Sequence, residues 1–302
     1  MPLDFRYYIS SLAAIFLALG IGIVIGGALM NNDEMGRRQE QLIINLEREF
    51  DQLRTEKKAL QTGLADREVE LEVLRQFNRE VLPLMVNGLL TDRSIGIVKT
   101  NHTVPATLQQ DLVNVLKLAG AQIRRNIDFS PWPPSSTAQQ ALAAHFGFAG
   151  EEFWFDQVLS AFTSEVVSGQ ESVVLSSLQA HNLIRINQLA AGPLDTLILL
   201  GGTYEDKVDL AEQIDLILAK EAKGQGVTVV GVEPLTAKGS YISRYKSAGL
   251  STIDNIDTLP GQVALVLALA AGEKGHFGVK GTARSLLPKT ALSGIAFGRE
   301  AR

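Results

Sequence analysis

The stretches SIGIV at residues 94–98 and AQIRRNIDF at residues 121–129 decide the fold, because a helical pattern separates them. Each stretch has the length and the apolar, β-branched content of a strand. Between them, Pro105 suits a first helical turn, apolar residues recur at helical spacing, and Gly120 is a natural helix end. A strand, a helix and a second strand in this short span predict a βαβ unit, and therefore a parallel sheet.

The same alternation continues along the chain and predicts an α/β domain over residues 92–302. LDTLILL at residues 194–200 and VTVVGV at residues 227–232 are predicted strands that flank an amphipathic helix. The other predicted elements are that helix at residues 207–223, a weaker strand at 251–256 and an apolar helix at 261–271. Residues 130–190 interrupt the alternation with helical patterns at 137–146, 151–167 and 171–188. We therefore predict a Rossmann-like parallel sheet with a helical insertion.

An uncharged stretch near the start of the sequence has the length of a membrane span. Residues 9–30, which follow a short tail at residues 1–8, contain no charged side chain. As a helix they would measure about 33 Å, enough to cross the hydrocarbon core. The alternatives are a cleaved signal peptide and a buried core helix, but Asp4 lies close to Arg6, the one basic side chain before the stretch. We predict a retained transmembrane helix.

Small residues recur at every fourth position of the predicted span. The series runs through Ser10, Ala14, Ala18, Gly22 and Gly26. Its members lie almost on one face of a helix, and Gly22 with Gly26 forms the GxxxG spacing that lets two backbones approach closely in lipid. Small residues are also frequent in membrane helices that do not associate, so the pattern leaves both possibilities open.

A heptad repeat of apolar residues follows within residues 33–82, and Pro83 is predicted to end its helix. Apolar side chains occupy nine of the twelve a and d positions between residues 43 and 81. They are Ile43, Leu46, Phe50, Leu53, Leu60, Leu64, Leu71, Leu74 and Val81. Leu at most d positions, with isolated polar residues such as Asn78 at a, favours a two-stranded coiled coil in which Asn78 also lies at the interface.

Charges beside the repeat indicate how two such helices are oriented. In a parallel pair, the g residues of one helix meet the following e residues of the other, which here joins Glu49 to Arg54 and Glu70 to Arg75. A helix that packs on its own chain would not need these matched charges. We predict a parallel homodimer. Its packing should break within residues 31–36, because the GxxxG and heptad repeats favour crossings of opposite hand.

Ligands of parallel sheets bind beyond the carboxyl ends of the strands, so the residues that follow the predicted strands are candidate site residues. They are Lys99, Asn101, His102, Gly201, Gly202 and Thr203. The glycine-rich turn could present backbone amides to an anion, although an ordinary tight turn is favoured. His102 has no carboxylate near it in sequence, which favours a solvated histidine over an acid or base. We predict these residues as a possible ligand loop.

The composition argues against several classes of function. The chain carries 28 Lys and Arg against 33 Asp and Glu, a net charge of -5, which argues against nucleic-acid binding. Cysteine is absent and the four His and four Met residues are scattered, so the soft donors of copper sites are sparse. The sequence has no P-loop lysine pattern, GxSxG or HExxH motif. We expect no catalytic residues, no metal site and no cofactor.

Three segments, in this overall layout, resemble the MctB-type copper transport protein family. They are SSLAAIFLALGIG at residues 10–22, TLPGQVALVLAL at residues 258–269, and GHFGVK at residues 275–280, which leads to LLP at residues 286–288. The resemblance covers nearly the whole chain. It implies a single-pass envelope protein linked to copper homeostasis, with its coiled coil and α/β domain outside the cytoplasm.

Three functional hypotheses are consistent with these observations. The leading one is a non-catalytic, dimeric scaffold or regulator in the cell membrane that docks an envelope protein partner. The second is direct participation in copper transport, and the third is an anchored enzyme or small-ligand receptor that uses the strand-end loops. The Lys and Arg counts beside the span weakly favour a C-terminal domain inside the cell, whereas the family resemblance implies the outside. We predict the outside.

Overall fold

The chain divides into two units, Met1–Arg75 and Gln76–Arg302. The computed structural model describes residues 5–147, 154–170, 173–205 and 209–289, with the side chains of residues 5, 29–34 and 154 left aside. The predicted starts of three helices, at residues 151, 171 and 207, lie outside these described ranges.

The first element, α1 (Phe5–Val86), is one continuous helix of 82 residues. Its part Arg6–Ala28 has 23 residues and contains an 18-residue stretch with a mean hydropathy of 2.4, so it is long and apolar enough to cross a membrane. This helix supports membrane association. The backbone is also helical through residues 31–36, so the predicted break there remains a prediction about contacts between two helices.

The prediction that Pro83 ends this helix is wrong, because α1 continues to Val86. Proline removes an amide hydrogen that would bond backwards to the preceding turn, but its carbonyl still accepts from the turn that follows. Here the Asn87 amide donates to the Pro83 carbonyl at 3.0 Å. The helix ends just before Gly88, whose φ of 73° is the left-handed conformation of many helix ends.

Seven strands in the described part of the chain form one mostly parallel sheet, in the order β3-β2-β1-β4-β5-β6-β7. They are β1 (Ser94–Lys99), β2 (Gln122–Phe129), β3 (Ile184–Leu189), β4 (Thr196–Leu200), β5 (Thr228–Val232), β6 (Ser251–Ile253) and β7 (His276–Phe277). Every neighbouring pair is parallel except β2 with β3. The prediction of an α/β domain with a parallel sheet is therefore confirmed for six of the strands.

Helices cover both faces of this sheet. Those that follow α1 are α2 (Ala106–Leu118), α3 (Ser136–Phe146), α4 (Trp154–Ser168), α5 (Val173–Ala180), α6 (Leu216–Gly224), α7 (Ile242–Ser247) and α8 (Leu259–Ala271). One π-helical turn, Ala211–Asp215, leads directly into α6. Each lies where the sequence predicted a helix, except α7, which was not predicted.

The prediction of one helix over residues 171–188 is wrong in its second half. After α5 the chain turns at Asn182, whose φ of 57° is left-handed, and then forms β3 antiparallel to β2. Side chains along β3 alternate between more and less buried positions, with Ile184 buried and Arg185 exposed. This period of two is typical of a strand at the edge of a sheet.

Two apolar clusters form the core, one on each face of the sheet. Residues of one strand alternate between them: Ile97 belongs to the cluster with α2 and α8, and Val98 to the cluster with α4 and α6. Ile198 and Leu199 of β4 divide in the same way. Because both faces are covered, the central strands are continuous apolar runs, and this is why the sequence predicts them clearly.

Candidate functional site at the carboxyl edge of the sheet

The carboxyl ends of β1 and β4 lie side by side where the order of the sheet changes direction. From β1 the chain goes to β2 on one side, and it later returns to β4 on the other. Lys99, the last residue of β1, is paired with Leu200, the last residue of β4. Open α/β sheets commonly bind ligands at such a switch point. The structure therefore brings together the two halves of the predicted ligand loop.

Side-chain hydrogen bonds join these two halves directly. The Thr103 hydroxyl lies 3.4 Å from the Thr203 hydroxyl and accepts from the Tyr204 amide at 3.1 Å. The buried Asn101 side chain accepts from the Thr103 amide at 2.9 Å and donates to the Tyr241 hydroxyl at 2.9 Å. These bonds fix the loops to each other and occupy polar groups of the predicted site.

The glycine-rich turn after β4 also makes internal bonds. The Gly201 amide donates to the Val232 carbonyl and the Thr203 amide to the Gly239 carbonyl, both at 2.9 Å. Gly202 has a φ of 84°, which is left-handed and favours glycine. Two of the three amides are thus engaged with carbonyls, which supports the tight-turn interpretation. A ligand role for the loop remains a prediction.

The two remaining residues of the predicted loop lie in contrasting surroundings. Lys99 is buried, and its ammonium lies 3.5 Å from an Asp128 carboxylate oxygen and 3.5 Å from the Val104 carbonyl. His102 is exposed. Lys99 therefore stabilises the ends of β1 and β2, whereas His102 faces solvent.

A fully buried carboxylate, Glu233, lies at the end of β5. Its Oε1 atom accepts from the Ser240 hydroxyl at 2.7 Å and from the Lys280 ammonium at 2.5 Å. Its Oε2 atom accepts from the Tyr241 amide at 2.8 Å. Lys280 also donates to the Pro234 carbonyl at 3.0 Å. Sequence reasoning missed this ion pair, because Glu233 and Lys280 lie 47 residues apart and only the fold brings them together.

The carboxylate of Asp254, after β6, holds the segment that carries Lys280. It accepts from the Val279 amide at 2.8 Å and from the Lys280 amide at 3.0 Å. Gly278, with a φ of 136°, lies so close to this carboxylate that a Cβ atom would overlap it. The absence of a side chain at Gly278 thus permits the turn that delivers Lys280 to Glu233.

A second buried acid, Asp215, lies beneath the loops and accepts a short hydrogen bond from the Tyr245 hydroxyl. Gly201 and Gly231 make room for the Tyr245 ring, which a Cβ atom at either position would overlap. Burial raises the pKa of Asp215 to about 7, although the nearby hydroxyls of Thr100 and Tyr245 oppose this shift. Asp215 is therefore held largely protonated at mildly acidic pH.

Hydrogen bonds of Asn101 and Glu233 link the loops at this edge to one another, while the buried Thr100 hydroxyl and one carboxylate oxygen each of Asp128 and Asp215 have no partner. In the part of the chain that the structure describes, no group of three His, Cys, Asp or Glu side chains is placed to hold a metal ion. The chemistry visible at this edge is therefore the mutual stabilisation of buried polar groups.

The predicted dimer contacts lie on α1, away from the strand-end loops in sequence. Eight of its heptad side chains are between 49% and 69% exposed in the single chain. They are Ile43, Leu46, Phe50, Leu53, Leu60, Leu64, Leu71 and Leu74, which we call the heptad stripe. Gly22 and Gly26 are also exposed, and Asn78 is half-buried. Their role in association remains a prediction.

A mostly parallel α/β domain and one apolar helix long enough to span a bilayer define a membrane-anchored α/β protein. The chain belongs to the MctB family, described as a copper transport outer membrane protein, whose model matches residues 3–288. Relatives named Copper transporter MctB occur in Mycobacterium bovis and in two strains of Mycobacterium tuberculosis. Each is 23% identical over 317 residues, covering 91% of this chain and 96% of the relative. The predicted family resemblance is confirmed.

We expect the protein to lose stability as pH rises from about 4 to about 7, and Asp215→Asn to remove most of that loss. The unfolded carboxyl ionises at its ordinary pKa of 3.8, whereas the folded one keeps its proton to about pH 7. Between these values the folded state binds more protons, so rising pH favours unfolding, by up to about 4 kcal/mol.

Thermal unfolding of the full chain in detergent, followed by near-ultraviolet circular dichroism at about pH 5 and about pH 7.5, measures this difference. Asp111→Asn is the matched control, since Asp111 is exposed on α2. An Asp215→Asn variant that loses as much stability as the wild type over this interval contradicts the assignment.

Proposed function

We propose that the protein is a non-catalytic, membrane-anchored homodimer that acts as a scaffold or regulator in copper homeostasis, with its α/β domain outside the cytoplasm. The exposed heptad stripe of α1 is the observation that carries this proposal. The link to copper comes from the description of the family and the names of the mycobacterial relatives.

The heptad stripe supports association because it exposes large apolar side chains in a regular repeat. Leu60 and Leu64, for example, are 69% and 64% exposed in the single chain. Burying a side chain of this kind stabilises a complex by about 1.5–3 kcal/mol. A second copy of α1 carries the same repeat, so a symmetric coiled coil would cover the stripe on both chains at once.

The charges beside the stripe contribute less to association than the apolar residues. Within one chain, Arg67 pairs with Glu70 at 2.7 Å, and Arg75 pairs with Glu72 at 3.6 Å. The predicted contact between Glu70 and Arg75 of two chains would replace these pairs. Exposed ion pairs are each worth about 0–1 kcal/mol, so the exchange changes the free energy little. The apolar stripe therefore drives association, and the charges select the parallel orientation.

The hydrogen bonding at the carboxyl edge supports a non-catalytic role for the α/β domain. Asn101 and Glu233, which lie where a ligand site is expected, are both buried and both bonded to neighbouring loops. Groups used in this way stabilise the fold and present a fixed outer surface. Such a surface suits docking of an envelope protein partner better than it suits chemistry on a small substrate.

Single cysteines test the parallel dimer cleanly, because the natural chain has none. Leu53→Cys and Leu74→Cys each place a thiol at a d position, and we expect a short bis-maleimide to link each variant to its own copy in isolated membranes. Thr55→Cys and Gln76→Cys are the matched controls, because both lie at f positions on the outer face of the coil. Denaturing electrophoresis measures the fraction of cross-linked dimer.

Efficient linkage at both d positions but not at the f positions is the expected result. An antiparallel pair would place residue 53 near a different residue of its partner, so at most one of the two d variants would link. Equal linkage at d and f positions, or none at all, contradicts the parallel coiled coil.

The connection to copper can be tested by complementing a deletion strain. We expect deletion to alter the copper content per cell under copper load, and wild-type protein to restore it. Leu60→Ala with Leu64→Ala should not restore it, because each buried Leu→Ala change costs about 2–5 kcal/mol and the dimer would be lost. Thr62→Ala, at an f position, is the control. Unchanged copper content on deletion, or full complementation by the double variant, would refute this part of the proposal.

Topology is tested with Thr62→Cys and a membrane-impermeant maleimide on intact cells. We expect labelling without lysis, since residue 62 would lie on the outer side together with the α/β domain. Arg6→Cys, just before the predicted span at residues 9–30, should be labelled only after lysis. The reverse pattern would place the α/β domain in the cytoplasm and contradict the envelope function.

A further inference from the structure

A pocket of about 450 Å³ lies at the end of the sheet opposite the strand-end loops, against the edge strand β3. Its walls include Arg125 of β2, Gly169 after α4, Gln179 of α5, and Ile186 and Leu189 of β3. The volume lies in the range of pockets that bind small molecules. All of these residues belong to the unit Gln76–Arg302, and no residue of α1 is part of the pocket wall among the described residues.

Arg125 is the charged group of this pocket, and it is only 2% exposed. Its guanidinium donates from Nη1 to the Arg124 carbonyl at 3.0 Å and, over a longer distance of 3.4 Å, from Nη2 to the Gly192 carbonyl. Its Nε atom is buried and has no hydrogen-bond partner. An arginine carries five N–H donors, so these two bonds to neutral carbonyls leave donors available.

No carboxylate among the described residues forms an ion pair with Arg125. Burial lowers the pKa of the Arg125 guanidinium, and the adjacent positive charge of Arg124 lowers it further. Both effects disfavour a buried cation, and no ion pair with a carboxylate of the described residues offsets them. A buried charge without a counter-charge is strongly unfavourable, so an anion that entered this pocket would stabilise the structure.

The backbone around Arg125 leaves room for its guanidinium at the pocket wall. A Cβ atom on Gly169 would lie 2.6 Å from the Nη2 atom of Arg125 and would also overlap the Gly192 carbonyl. Gly169 has a φ of 73°, which a residue with a side chain rarely adopts. A side chain at position 169 would therefore displace the guanidinium, and glycine there keeps the charge at the pocket.

The rest of the wall combines apolar side chains with the polar Gln170, Ser176 and Gln179, and it is partly open to solvent. Ile186 is half-buried and Leu189 is 52% exposed, and both belong to β3. Ala190 continues this wall, and the exposed Gln179 lies on the facing helix. One cationic group on an apolar wall suits a ligand that has one anionic group on an apolar body.

We propose that this pocket binds a small organic carboxylate, whose carboxylate pairs with the Arg125 guanidinium while its apolar body packs on Ile186 and Leu189. The planar guanidinium matches a carboxylate, and the N–H groups of Nη1 and Nη2 that the two backbone carbonyls leave unused would form the charge-assisted hydrogen bonds. Inorganic phosphate would find the same donors but would leave the apolar wall uncovered. Nothing in this proposal depends on the dimer or on copper.

Fluorine NMR of the full chain in detergent, with 4-fluorobenzoate as the probe, tests the site. We expect saturable broadening of the probe signal, and binding at least about tenfold weaker for 4-fluorobenzamide, which has the same shape and no charge. Arg125→Met should weaken 4-fluorobenzoate binding by about the same factor, because it removes the charged hydrogen bonds. Inorganic phosphate should compete only weakly.

A second pair of variants keeps the test decisive if Arg125→Met does not fold. Gln179→Trp should fill the pocket from the exposed face of α5 and abolish binding, whereas Ala180→Trp, also exposed on α5 but not part of the pocket wall, should not. Equal binding of benzoate and benzamide, unchanged binding by Gln179→Trp, or no saturable binding up to about 5 mM would overturn the proposal.

Discussion

The buried carboxylate of Glu233 is the interaction on which the carboxyl edge of the sheet depends. It bonds at once to Ser240, Tyr241 and Lys280, which belong to two segments that follow β5 and β7. Tyr241 in turn accepts from Asn101 in the loop after β1. Removing one partner of a buried ion pair lowers the free energy of unfolding by about 3–5 kcal/mol, more than the loss of most single contacts. The positions of these loops therefore depend on the Glu233 carboxylate.

The expected ligand site and the observed pocket lie at opposite ends of the sheet, and the polar groups at the two ends differ in charge and in bonding. At the switch point between β1 and β4, Asn101 and Gly201 bond to neighbouring groups of the protein, and the buried Thr100 hydroxyl, which lacks a partner, is uncharged. At the other end, Arg125 is buried, forms no ion pair with any carboxylate in the described part of the chain, and borders a cavity. A ligand that bonds to an already hydrogen-bonded polar group adds little favourable free energy. A ligand that pairs with a buried, unpaired charge adds much more.

The parts of the fold that depend on local sequence could be predicted, and the parts that depend on distant residues could not. The strands at residues 94–98 and 227–232 were predictable because burial on both faces requires continuous apolar runs. The edge strand β3 was missed, although Ile184 and Ile186 alternate with polar residues, because the preceding helical pattern was extended through it. The order of strands in the sheet also followed from no local pattern.

In the candidate sites, too, the features that depend on local sequence could be predicted, and those that depend on distant residues could not. The residues at the ends of β1 and β4 were predictable from the rule that loops meet at a switch point, but their mutual bonding was not. The pairing of Glu233 with Lys280 needs the turn at Gly278, which only the folded backbone reveals. The burial of Arg125 could not be predicted from the sequence, because the register of β2 shifts at Arg124 and interrupts the alternation of side chains that a regular strand would show.

The two surfaces left for recognition differ in kind, and this difference assigns them different partners. The heptad stripe is long, apolar and regular, so its free energy of association comes from the apolar surface area that becomes buried. Burying that surface needs a partner helix with the same repeat. The Arg125 pocket is small and has one charged group, so its selectivity comes from a single ionic contact and the shape of an apolar wall. A second copy of the chain satisfies the first requirement and a small anion the second. Each surface can therefore be altered without changing the chemistry of the other.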